Sequence, residues 1–230
     1  MGRYRESRDV SAPFKWVLRL LLKVMWSVGA NSTRPRLFGP DAAAICDRLV
    51  AGDILLLGAG GNCSHVAVYV GDGRIVHSMA TEKTGRGMWG SLNDMLARPW
   101  RWLLGKRDQT GVIGERVADF FDRFARDTWV GLRVTGVQPD GVVAGVAHVT
   151  GLIGKQYDYD FSAGDDEYYC TELVVEFVEA ALPQPLRPTF QTRAVRIPGL
   201  LNTHVIEPAS LLETEGFERI AGNELGADAE

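Results

Sequence analysis

A chain of 230 residues with 46% hydrophobic residues and a formal net charge of −4 can bury a substantial core, and reads as one globular domain with or without an appendage. Its three cysteines, Cys46, Cys63 and Cys170, are odd in number and form no Cys-x-x-Cys pair, which argues against a disulfide framework or a zinc ribbon and leaves room for a reactive thiol. Residues 1–36 hold eight Arg/Lys against Glu6 and Asp9, a balance of +6, so the remainder carries −10; an acidic body argues against nucleic acid as a partner.

Residues 1–40 form a basic segment of their own. Within it, residues 14–26 have helical spacing, with Lys15, Arg19 and Lys23 on one stripe and Trp16, Leu20, Leu21 and Met25 elsewhere around the helix. The stretch is too short and too basic to cross a bilayer, which takes about 20 nearly uncharged residues. Two readings stay open: an amphipathic helix on a membrane surface, or a helix packed on the body. As a secretory signal it is poor, although Val28-Gly29-Ala30 resembles a cleavage site; position 6 is Glu6, where a myristoylation site wants Ser or Thr.

From residue 41 to 220 the pattern is that of a single α+β domain. Asp41 can cap a short helix through Leu49 that carries Cys46. Asp53–Leu57 has strand length and composition. Ser64–Val70 alternates, Gly71-Asp72-Gly73 is a turn, and Arg74–Ser78 returns as a second strand. Residues 83–110 read as loops around short helices. Helical spacing then covers Glu115–Trp129, with Val117, Phe120, Phe121 and Phe124 on one face, and Val142–Ile153 after the turn Gln138-Pro139-Asp140-Gly141. Tyr168–Ala181 is helical and ends before Pro183. Proline-containing loops follow, and residues 221–230 read as a disordered tail.

Four histidines supply few acid–base candidates, and two of them bracket the hairpin. A three-residue loop, 71–73, pairs Ala67 with His77 and sets His65 and His77 on one face as diagonal neighbours, about 7–8 Å apart by backbone. A two-residue loop, Asp72-Gly73, reverses the parity and separates the rings. Cys170 lies at the first turn of the 168–181 helix, where the positive end of the helix dipole favours a thiolate. Cys46 reads as core. Cys63, two residues before His65, could share its face.

Together these residues resemble the NlpC-type papain-like cysteine peptidases, and more closely their circularly permuted branch, the YiiX/YebB-like proteins. The resemblance lies in Gly52-Asp53-Ile-Leu-Leu, in Ser64-His65-Val66 followed by a strand, a Gly turn and His77, and in Tyr157-Asp158 with Tyr169-Cys170-Thr171-Glu172-Leu173 placed after that block. Thr171 departs from the usual Ser, and His77 from a frequent Glu. The resemblance implies a permuted papain-like fold, with an antiparallel sheet or small barrel packed against the Cys-bearing helix. It implies Cys170 as nucleophile, His65 as base and His77 as its orienter, with Tyr157, Tyr69 and Ser64 on the substrate side and no cofactor. The function implied is a peptidase or amidase on cell-wall-type peptides, working through an acyl-thioester. A lipid-directed acyl hydrolase or acyltransferase, docked through residues 14–26, is the alternative, as are a zinc site of Cys63, His65, His77 and Cys170, and a non-catalytic binding module. The expected location is the cytoplasm or the inner membrane face, with secretion left open.

Overall fold

The computed structural model describes residues 41–59, 62–80, 110–123, 128–158, 161, 166–197 and 201–223. The first element, α1 (Ala42–Cys46), is capped by Asp41, whose Oδ1 accepts the Ala43 amide at 2.9 Å. Strand β1 (Ile54–Ala59) follows, and Ile54 to Leu57 are all fully buried. Four consecutive buried residues leave no polar face, which is what a strand covered on both sides requires.

Strands β2 (Asn62–Gly71), β3 (Arg74–Met79) and β4 (Gly111–Arg116) extend the sheet as a meander. After α2 (Val117–Arg123), β5 (Thr128–Val134) returns to the free side of β1, and β8 (Phe217–Gly222) pairs outside it. The described residues thus form a six-stranded antiparallel sheet in the order β4-β3-β2-β1-β5-β8. A separate hairpin joins β6 (Arg193–Ile197) to β7 (Leu201–Val205).

Alternation on the strands decides which face each residue joins. Leu56, Val66, Val68 and Val130 point to the side covered by α3 (Pro139–Gly151) and α4 (Cys170–Ala181), where Val149, Val174, Phe177 and Val178 meet them. Leu55, Leu57, Ala67, Tyr69 and Ile75 point the other way, to Ile45 of α1 and Val117, Phe120 and Phe121 of α2. Burying each of these large apolar side chains stabilises by about 1.5–3 kcal/mol. The α3–α4 contact is close because Gly145 has no side chain: a Cβ there would stand 2.6 Å from the Phe177 ring.

Asp53, at the head of β1, is almost fully buried and is matched by a two-armed bond from Arg133 on β5, at 2.7 and 2.8 Å. The Val50 amide donates to the same carboxylate at 2.7 Å. The Asp of the Gly52-Asp53 pair therefore clamps two strands together.

Several boundaries differ from the sequence reading. Glu115 lies in a strand, β4, because residues 111–116 pair with β3 and only from Val117 does the apolar face turn helical. Pro139 starts α3 three residues before Val142, since proline suits a first helical turn. Helix α4 begins at Cys170, with Tyr168 and Tyr169 extended or irregular before it. The expected loops after Pro183 contain three strands. Ala221 and Gly222, expected in a disordered tail, belong to β8, and Asn223 is held by bonds with Trp129 at 2.7 and 3.2 Å. Residues 1–40 with the helix expected at 14–26, residues 83–109 of the loops expected over 83–110, Phe124 and residues 224–230 lie outside the described residues. Among the described residues no helix is long and apolar enough to cross a membrane.

Candidate active site

His65 on β2 and His77 on β3 meet directly, Nε2 of His65 lying 2.8 Å from Nδ1 of His77. The hairpin achieves this by two departures that cancel. Its turn is the two-residue Asp72-Gly73, closed by Gly71 opposite Arg74, with φ of +50° and +67°. Positive φ at both positions is the type I′ turn that matches strand twist. Alone, that turn would put the two rings on opposite faces. Between Tyr69 and Gly71, however, the register shifts by one, so Tyr69 faces Ile75 and Val68 faces Val76. The bulge restores the parity that a three-residue loop would have given.

The pair continues to a third group. His77 is fully buried, and its Nε2 lies 2.6 Å from Oε1 of Glu115 on β4, whose side chain is 12% exposed. Phe120 of α2 stacks flat on His65, with centroids 5.7 Å apart, and meets His77 edge-on at 5.3 Å. The two imidazoles stand at 85° to one another. Three neighbouring strands and one aromatic wall thus hold a line from His65 through His77 to Glu115. Glu115 was missed in the sequence because it is 38 residues from His77 and was read as the start of a helix.

Cys170 occupies the first position of α4. Its place is set by Glu172, whose Oε2 accepts the Tyr169 amide at 3.0 Å in a capping box, and by the Tyr169 hydroxyl, which accepts the Ile206 amide at 3.1 Å. Ser78 of β3 reaches the same corner by donating its hydroxyl to the Tyr168 carbonyl. The Cys170 sulfur sits 3.9 Å from the Thr171 hydroxyl and packs beside Val66, one residue beyond His65 on β2. His65 stacks on the α2 side, whereas Cys170 packs on the α4 side with Val66.

The thiol is shifted opposite to the sequence expectation. Burial pushes the Cys170 pKa up, and the hydrogen bonds to its sulfur only partly offset this. A helix N-terminus is worth about 0.3–1 kcal/mol to an exposed anion, whereas full burial can raise an acid by about 3–5 pKa units. Desolvation wins, and the resting group is a neutral thiol. Cys46 and Cys63 are raised for the same first reason.

The remaining predicted residues lie as follows. Cys63 does not share the face of His65: a bulge at Ser64, between the pairs Leu57↔His65 and Gly58↔Cys63, turns it to the α4 side. Ser64 is exposed. Tyr69 is buried at the far end of β2, where its hydroxyl accepts the Gly73 amide at 3.0 Å, a role in the turn. Tyr157 is buried in the segment that bridges to Glu167 just ahead of α4. The zinc arrangement does not form: among the described residues no three His, Cys, Asp or Glu gather as a metal site. Two nitrogens on a tetrahedral zinc would stand roughly 3.3 Å apart, and His65 and His77, at 2.8 Å, are in direct hydrogen bond.

No family model matches this chain, and no curated protein matches it. Among solved structures, it is similar to the crystal structure of metalloprotein yiiX from Escherichia coli O157:H7, with a TM-score of 0.49 and 15% identity over 76% of this chain and 98% of that one.

Proposed function

We propose that this chain is a cysteine peptidase or amidase of permuted papain-like build, acting on cell-wall-type peptides through an acyl-thioester on Cys170. The observation that carries the reading is the 2.8 Å bond between His65 Nε2 and His77 Nδ1, on the strand against which Cys170 packs beside Val66. With Nε2 bonded to His77, the thiol proton is assigned to His65 Nδ1; Cys170 packs on the other side of β2, so the transfer requires the head of α4 to bring the sulfur round to the ring when substrate binds. His65 Nδ1 takes the thiol proton as sulfur attacks the substrate carbonyl, and returns it to the leaving amine. A neutral resting thiol suits this sequence, because the proton leaves during the attack. The amides of Cys170 and Thr171 at the head of α4 supply donors for negative charge developing beside the sulfur. Water then resolves the thioester, with His65 as base.

The test is intact-protein mass spectrometry of wild type, Cys170→Ala and His65→Ala after exposure to muropeptide and lipid extracts. A peptidyl adduct on wild type, absent from Cys170→Ala and much weaker in His65→Ala, is the expected result. A fatty-acyl adduct at Cys170 would replace the peptide substrate with a lipid one. No adduct, with Cys170 alkylated no faster than Cys46 and Cys63 under any substrate, overturns the reading.

A further inference from the structure

From the same line of groups we infer that Glu115 is a positioning residue: it fixes the direction of the whole hydrogen-bond chain and thereby makes Nδ1 of His65 the basic nitrogen. This rests on the functional reading only for its consequence in catalysis; the tautomers themselves do not depend on it.

A carboxylate only accepts hydrogen bonds, so at 2.6 Å from Glu115 Oε1 the Nε2 of His77 carries the proton. A neutral imidazole protonated at Nε2 presents Nδ1 as an acceptor. His77 Nδ1 therefore accepts from His65 Nε2, 2.8 Å away, and that proton sits on His65. His65 is then the Nε2–H tautomer, with the lone pair on Nδ1. Reversing any one bond reverses all of them: a donor in place of Glu115 would protonate His77 at Nδ1 and leave His65 with a proton on Nδ1, unable to accept one from a thiol. Turning either ring over would break the bond it makes to its neighbour, and His77 is wholly buried, where water does not replace that bond. When His65 takes the thiol proton it becomes an imidazolium, and the charge of Glu115, relayed through His77, stabilises it. Protons balance: one leaves sulfur and binds Nδ1, and the two internal bonds keep theirs.

The experiment reads tautomers by imidazole nitrogen NMR on the full chain near neutral pH, with no substrate present. Both His65 and His77 are expected with hydrogen on Nε2. Glu115→Lys, whose ammonium only donates, is expected to move His65 toward the Nδ1–H form, to slow Cys170 acylation on the order of 10²-fold and to leave KM within a few-fold. A merely structural role would leave the tautomers unmoved. Should Glu115→Lys fail to fold, the wild-type spectrum decides alone: His77 protonated at Nδ1 overturns the inference. Unchanged tautomers in a folded Glu115→Lys overturn it too. Correct tautomers in a protein that never acylates Cys170 would uphold it and reject the hydrolase reading instead.

Discussion

His65 and His77 lie on the same face of the hairpin because a one-residue bulge in β2 compensates for a two-residue turn. The turn demands positive φ at both central positions, and Asp72 with Gly73 meet that demand. Gly73→Val should destabilise the fold by about 1–2 kcal/mol, the usual cost of a left-handed conformation in a residue with a side chain. Asp72→Asn should be neutral or slightly stabilising. Urea midpoints of the two variants check this; a Gly73→Val protein as stable as wild type would reject the turn assignment.

The clamp between Asp53 and Arg133 has one buried and one half-exposed member. Arg133→Ala leaves the buried carboxylate with the Val50 amide but without its cation, at a cost of about 2–3 kcal/mol, discounted for the exposure of Arg133. Asp53→Asn combined with Arg133→Ala should cost less than the two single changes added together. A double-mutant cycle by chemical denaturation measures the coupling, and strict additivity would show that the pair is not energetically linked.

Gly145→Ala should cost about 1–3 kcal/mol, because the new methyl meets the Phe177 ring and the Phe177 carbonyl within 3.0 Å. Phe177→Leu in the same background should recover part of the loss by making room. If the second change adds its full cost instead, the α3–α4 contact is looser than described.

Stability should fall above pH 9.0. All three thiols are raised from that ordinary value in the folded chain, chiefly by burial. A group whose folded pKa is raised contributes stability that is complete below the unfolded value and is lost as pH rises through the folded one. Midpoints measured from pH 7 to 10 should drop more steeply for wild type than for Cys63→Ala/Cys170→Ala. Equal slopes would mean that neither thiol is buried in solution. The same burial predicts that iodoacetamide modifies Cys170 slowly at pH 7 without substrate.

What could be read in the sequence was local. The β2–β3 hairpin, the helix after Cys170 and the spacing of 12 between the histidines are each written in a short window, and the structure contains them. Three things were not local. Glu115 reaches His77 only because β4 lies beside β3, a pairing no window of sequence contains. The bulges at Val70 and Ser64 change which face a residue joins while leaving composition untouched, so the two-residue spacing of Cys63 and His65 does not give them a shared face. The thiol of Cys170 was judged by its helix terminus, whereas its surroundings, Val66 and Thr171 among them, come from packing. Strands β6 to β8 escaped because proline and polar residues between them resemble loop.

The order of elements along the chain also fixes an order of events during synthesis. Strands β1 to β3 are joined by short connections, the kind of contact that closes early and needs little chain, whereas β4 reaches β3 over a much longer one. Both histidines and Glu115 have been synthesised by residue 116, whereas α4, which carries Cys170, follows more than fifty residues later. A chain at that length lacks both Phe120 and the helix that covers the α4-side apolar face. The sulfur arrives only with the helix that covers that face.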